Sequence, residues 1–130
     1  TSGTFDLVTG AAAGATVGEH DIDGGATSIA SPEITLPVGR LTLSLSYYLA
    51  HLTNSSSADF LRVRVVGITT ENVLEELGTT TNDGAAWQST SVDISAFAGQ
   101  TVRILIDAAD ASTASLIEAA VDDVEIEAVF

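Results

Sequence analysis

The sequence predicts an all-β sandwich or barrel of short antiparallel strands. Three observations carry that expectation. Apolar residues recur at every second position along four runs. Turns rich in Gly, Asn and Pro separate the runs at roughly 8–12-residue intervals. No stretch carries the long 3.6-period apolar stripe from which repeated βαβ units are made.

The elements follow in chain order. Residues 5–9 and 27–30 are short strand candidates, separated by the turn Asp23-Gly24-Gly25. Pro37-Val38-Gly39 ends that ladder, because proline cannot donate to it. Leu41, Leu43, Leu45, Tyr47 and Leu49 then alternate with Thr42, Ser44, Ser46, Tyr48 and Ala50, which reads as a strand with one face in the core. Residues 52–58 (LTNSSSA) are small and polar and read as a surface loop. Leu61, Val63 and Val65 mark the next strand, and 72–77 another. Asn82-Asp83-Gly84 is a turn that leads into a strand over 88–94. Residues 95–98 read as one helical turn carrying Phe97 inward. Val102, Ile104 and Ile106 form a further alternating run. Residues 109–119 are alanine-rich but broken by Ser112, Thr113 and Ser115, so a loop followed by a strand is expected there. Val124, Ile126 and Ala128 close the chain. The count is about eight strands, in one domain spanning 1–130.

Composition bounds the function. A chain of 130 residues with 45% apolar content can bury one sizeable core and is no disordered acidic tail. Acidic residues outnumber basic ones 18 to 4, there is no lysine, and the net charge is −14. Nucleic acid and anionic membranes both need a basic surface, so neither is expected as partner. The absence of cysteine removes disulfides, thiol nucleophiles, zinc–thiolate sites and iron–sulfur clusters. No apolar run approaches ~18 residues, so no membrane-inserting helix is expected.

Four segments carry a resemblance: 17–32 (VGEHDIDGGATSIASP), 56–65 (SSADFLRVRV), 92–104 (VDISAFAGQTVRI) and 115–126 (SLIEAAVDDVEI). Together they resemble the MAM-like jelly-roll accessory modules found C-terminally on secreted bacterial peptidases, of zinc carboxypeptidase and other metallopeptidase types. Of the three specific runs, Asp-x-Asp-Gly-Gly, Asp-x-Ser-Ala-x-Ala-Gly-Gln-Thr-Val-Arg and Glu-Ala-x-x-Asp-Asp-Val, the second taken singly also occurs in many carbohydrate-binding sandwiches. The resemblance implies a jelly-roll β-sandwich of two antiparallel sheets with eight or nine strands. It also implies a structural calcium ion, secretion and an accessory role. Such modules begin with an extra strand bearing a Gly-Trp pair, which here is absent or shortened.

The acidic residues divide by position. Asp59 shares the parity of Leu61, Val63 and Val65, and Asp122 that of Val124 and Ile126, so both are expected to point inward. A lone buried carboxylate costs several kcal/mol unless it is paired or metal-bound. Asp21 and Asp23 lie two apart in a Gly-rich loop whose carbonyls can turn inward, Gly24 included. An oxygen-only cage of this kind suits calcium, which takes 6–8 oxygens. Asp23, Asp59 and Asp122 are the expected ligands, with backbone oxygens near Asp21 and Gly24. Glu118, of the same parity as Asp122, is either a further ligand or an arginine's partner. The competing expectation is that Asp59 and Asp122 cap turns and accept backbone N–H groups.

No catalytic set stands out. His20 lies in the acidic loop and His51 at a strand end, and neither a G-x-S-x-G elbow nor an H-E-x-x-H helix is present. Neighbouring carboxylates such as Glu75-Glu76 face opposite ways along a strand and cannot act as a glycosidase pair. Tyr48, Arg62, Arg64 and Arg103 have outward parity and would form a sugar- or carboxylate-binding patch if their strands were neighbours. The plainer alternative pairs those arginines with Asp107, Glu125 and Glu127 across strands. Trp87 reads as a core or edge plug, or else as a sugar platform. The expectation is therefore a non-catalytic, calcium-stabilised accessory module of a secreted hydrolase, extracellular and monomeric as an isolated domain. It would bind a protein or polysaccharide substrate, the cell envelope or its own catalytic domain. The alternatives are a carbohydrate-binding module of a polysaccharide-degrading enzyme and a structural or adhesive domain.

Overall fold

The computed structural model describes residues 7–9, 22 and 24–130. Nine strands lie among them: β1 Leu7–Val8, β2 Gly25–Ala30, β3 Ile34–Thr35, β4 Arg40–His51, β5 Phe60–Val66, β6 Thr70–Leu77, β7 Gln88–Asp93, β8 Thr101–Asp110 and β9 Ile117–Val129. The one helical element among the described residues is the 3₁₀ turn Ser95–Phe97, which buries Phe97 as expected.

All pairings are antiparallel and form two sheets. The front sheet runs β1-β9-β4-β7 and the back sheet β2-β8-β5-β6, with β3 also on β8. In the front sheet the first and last strands are neighbours, and each sheet takes alternate turns of the chain. This is the jelly-roll connection, and the fold is an all-β, two-sheet antiparallel sandwich.

The alternation read in the sequence sets the core. Leu41, Leu43, Leu45, Tyr47 and Leu49 of β4 face Leu61, Val63 and Val65 of β5 and Val102 and Ile104 of β8. All are buried, with Ile94 and Phe97 closing the lower end of the layer. Each fully buried aliphatic side chain contributes about 1.5–3 kcal/mol relative to exposure. β2 and β3 are one edge interrupted at Pro32, which has no N–H for the ladder. Ser31 compensates there: its N–H donates to the Ile104 carbonyl at 2.8 Å, and its Oγ accepts the Ile104 N–H at 2.9 Å.

One irregularity alters which residues reach the surface. β9 pairs with β4 in register from Ile117 to Asp122 and again from Glu125 to Val129, with a shift between Ser46 and Ser44. The extra residue lies at Asp123, whose φ of 52° is left-handed, a conformation Asp tolerates better than most residues. The bulge corrects the expected direction of Asp122. Parity counted back from Ile126 puts it inward. Across the bulge Asp122 stands opposite Ser46, and Val121 opposite the core residue Tyr47. Asp122 therefore belongs to the outer face of the front sheet.

Candidate functional site

The polar residues singled out from the sequence fall into three places. The first is one end of the sandwich, where Asp59 is fully buried. Its Oδ1 accepts the Ala111 N–H at 2.9 Å. Its Oδ2 accepts the Ser56 N–H at 2.7 Å and the Ser55 hydroxyl at 3.0 Å. Burial alone would raise this carboxyl's pKa, but these donors outweigh it and hold it below the ordinary Asp value. Asp110, 2% exposed, sits beside it and accepts the N–H groups of Gly24 (2.8 Å) and Ser115 (3.0 Å). The Ser115 hydroxyl bridges the two carboxylates, 3.1 Å from Asp110 and 3.4 Å from Asp59. Gly78 packs so closely here that a Cβ would lie 2.1 Å from Ser55 Oγ. The knot ties together the 52–59 loop, the 111–116 loop and the start of β2.

Asp59 thus does what a turn cap does, accepting backbone N–H groups. Asp110 was not singled out from the sequence, although its parity with Val102, Ile104 and Ala108 marks it as inward by the same rule. As a calcium cage the described residues fall short. They supply two carboxylates turned to amide and hydroxyl hydrogens, and no group of three or more metal-binding side chains lies among them. Asp21 and Asp23 lie outside the described residues, as does His20. Asp122 and Glu118 are not at this knot. Glu118 is buried opposite Ala50, on the face of the front sheet that also carries Tyr48 and Ala120. His51 is buried at the end of β4, opposite Ile117, with Nδ1 3.2 Å from the Leu52 carbonyl.

The second place is the outer face of the back sheet, which holds Arg62, Arg64 and Arg103. Tyr48 is on the other sheet, so the patch of one aromatic and three arginines does not exist. The arginines are engaged across strands. Arg62 Nε meets Glu75 at 2.8 Å and its guanidinium lies 4.2 Å from the Phe60 ring centre. Arg64 pairs with Asp107, which also accepts the Ser28 hydroxyl at 2.6 Å. Arg103 donates to the Ser31 carbonyl at 2.8 Å and reaches Glu33 at 3.4 Å. Pairing was the plainer expectation, but Glu125 and Glu127 are not the partners, because β9 is in the front sheet.

The third place is the outer face of the front sheet. Tyr48 and Trp87 meet there, Trp87 one step beyond the Tyr47–Gln88 pair in the β4–β7 register. Their ring centres are 4.9 Å apart at 78°, an edge-to-face contact. Tyr48 is 5% exposed and Trp87 38%, so the tyrosine is the buried support and the indole reaches solvent. The loop before Trp87 is pinned to the end of β4 by two backbone hydrogen bonds between His51 and Asp83, at 3.0 and 2.9 Å. Trp87 is therefore an aromatic at the sheet edge, and not a core plug.

From this pair a strip of hydroxyls and carboxylates runs down the sheet. Asp122, Ser46 and Ser89 make the first rung, Glu125, Ser44 and Ser91 the second, and Glu127, Thr42 and Asp93 the third. Rungs recur every ~6.8 Å along the strands, and residues within a rung are ~4.8 Å apart. Asp122, Glu125 and Glu127 form no ion pair among the described residues. Asp93 is held below the ordinary Asp range by the Ser95 hydroxyl and N–H, with a smaller effect from Arg40.

A concavity of about 220 Å³ opens between the edge strands β1 and β2. Aliphatic side chains such as Leu61, Ile106 and Val121 line it, with three hydroxyls and no charged group among the described residues. It offers little to orient a polar ligand.

No protein-family profile and no curated protein matches the chain. Solved structures do match. A family-61 carbohydrate-binding module in complex with β-1,4-galactotriose aligns with a TM-score of 0.56 at 13% identity, over 85% of this chain and 68% of that one. A family-4 carbohydrate-binding module aligns less closely, with a TM-score of 0.43 at 12% identity over 85% and 80%. The first likeness shows a shared jelly-roll fold. None of these matches bears on a peptidase-associated setting.

Proposed function

We propose that this domain is a non-catalytic carbohydrate-binding module that holds a polysaccharide on the outer face of its front sheet. One observation carries the reading. The chain's sole tryptophan is set solvent-exposed against a buried tyrosine, at the head of a strip of hydroxyls and carboxylates. An exposed indole offers an apolar surface to the C–H face of a sugar ring. Serine hydroxyls and carboxylates accept from, and in part donate to, the sugar's hydroxyls. Because Tyr48 already fixes the indole, binding does not have to order it. The fold shared with a galactotriose-binding module supports this reading over that of a peptidase accessory. We place the domain beside a secreted enzyme acting on the same polysaccharide.

Titration of the intrinsic tryptophan fluorescence with galactotriose and a panel of polysaccharides tests the proposal, since Trp87 is the only indole. A saturable change that Arg62→Ala leaves intact supports it. An unchanged spectrum, together with no retention in polysaccharide-containing gels, overturns it.

We also propose, from the spacing of Asp21, Asp23 and Gly24, that calcium bound near the Asp59–Asp110 end stabilises the sandwich. Binding to the native state alone adds about 2.7 kcal/mol at a hundred times Kd. A melting temperature raised by calcium over chelator supports this. An unchanged one, with no calcium in elemental analysis, overturns it.

A further inference from the structure

The carbohydrate-binding reading leaves the class of polymer open, and the distribution of positive charge narrows it. The lysine-free chain has four arginines, Arg40, Arg62, Arg64 and Arg103, and all four lie among the described residues. Three belong to the back sheet and are engaged there with Glu75, Asp107 and Glu33. Arg40 opens β4, eight residues from Tyr48, which at strand rise is ~27 Å from the aromatic pair. Between them, among the described residues, the front face presents the three rungs, each with at least one carboxylate: Asp122, Glu125, then Glu127 with Asp93. A guanidinium fork is what grips a sugar carboxylate or sulfate, and none stands beside Trp87. Carboxylates instead accept hydrogen bonds from neutral hydroxyls and repel anionic groups laid against them.

We infer that the front face is built for an uncharged polysaccharide lying along β4, and that its acidic rungs turn away polymers of uronic acids or sulfated sugars. The inference rests on the carbohydrate-binding reading and adds the chemical class of the ligand.

Affinity electrophoresis of the intact chain tests it, using gels cast with β-1,4-galactan, mannan or β-glucan as neutral polymers and with polygalacturonate as the anionic one, in low salt. A second protein, Glu125→Lys combined with Glu127→Lys, reverses two exposed charges, and its thermal melt establishes that it folds. The expected result is retention of the parent by at least one neutral polymer, with polygalacturonate at least tenfold weaker. The charge-reversed protein gains retention on polygalacturonate, and added salt removes that gain. Parent retention on polygalacturonate equal to or better than on the neutral polymers overturns the inference and leaves the carbohydrate-binding reading standing. A charge-reversed protein that still ignores polygalacturonate overturns the role given to the rungs. Retention by no polysaccharide at all overturns the carbohydrate-binding reading and this inference with it.

Discussion

The two outer faces of the sandwich handle charge in opposite ways. On the back sheet, Arg62, Arg64 and Arg103 each meet a carboxylate, and Asp107 takes a serine hydroxyl as well. On the front sheet, Asp122, Glu125 and Glu127 have no such partner among the described residues and stand in line with an exposed indole. A face whose polar groups are satisfied by one another gains little by meeting a ligand, since each new contact breaks an existing one. Asp122 already accepts the Asp123 N–H at 2.7 Å and Asp93 the Ser95 N–H at 2.8 Å, whereas the exposed Glu125 and Glu127 exchange water for ligand at small cost. Under the carbohydrate-binding reading, the difference separates a surface that supports the fold from one that would meet the ligand.

The sharpest way to break this contrast is to remove a fully enclosed carboxylate whose acceptors are all engaged, Asp59. Asp59→Ala strands the Ser56 and Ala111 N–H groups without an acceptor, at about 1–3 kcal/mol each. Thermal denaturation should show a midpoint at least ~8 °C lower. A variant that melts like the parent would mean that the knot contributes nothing. Next in size is Trp87→Ala. Polysaccharide retention should fall at least tenfold, about 1.4 kcal/mol, while the melting temperature moves by no more than a few degrees. Retention unchanged in an affinity gel would move the ligand away from the front face.

Arg64→Ala probes the back sheet. It removes the partner of a mostly buried Asp107 and should cost about 1 kcal/mol after allowance for solvent exposure, read as ~4 °C in a melt. Polysaccharide retention should stay as in the parent, and a matching loss of retention would erase the distinction between the faces. The mildest test is acid. Burial works to raise Asp59 and Asp107, but hydrogen bonds, joined at Asp107 by Arg64, hold both below the ordinary Asp value. Their contribution to stability is therefore present above about pH 3.9 and is lost as pH falls through the lower, folded-state values. The melting temperature should be flat from neutral down to that point and then decline. A decline that begins near neutrality would point to some other group.

The alternation of Leu41 to Leu49 and of Leu61 to Val65 made the sheets legible, because one buried face imposes a period of two. Asp59 was legible as inward for the same reason. The expected parity failed at Asp122, where a single bulge residue carries no compositional mark, Asp123 being an Asp and not the Gly that would have advertised a left-handed position. The grouping of Tyr48 with the arginines failed for a different reason. Parity tells which side of a strand a residue occupies, but not to which sheet the strand belongs. β4 and β5 are consecutive in the chain and lie in opposite sheets, so outward on one is the far side of the molecule from outward on the other. Trp87 follows an ordinary turn, and its exposure depends on the β4–β7 register, a long-range pairing. The strand β3 is two residues long, too short for any periodicity to show.

The bulge in β9 also makes chain length, not only chemistry, a constraint. Residues 117–121 pack their odd positions into the core, whereas 126 and 128 do so beyond it. Deleting one residue between them would rejoin the strand in a single phase. Both core sets would then still face the aliphatic layer, with Glu118 and Asp122 outward, so residue 123 is surplus to the alternation, whereas removing a residue from 118–121 and closing the bulge would turn Asp122 inward. A deletion at the exposed tip Thr53–Asn54 changes only the path of a surface connection, provided that Ser55 and Ser56 keep their bonds to Asp59. Natural variation in β9 should therefore place a single-residue gap at the bulge and exchanges of residue type elsewhere, so that the bulge acts as a parity counter for the strand.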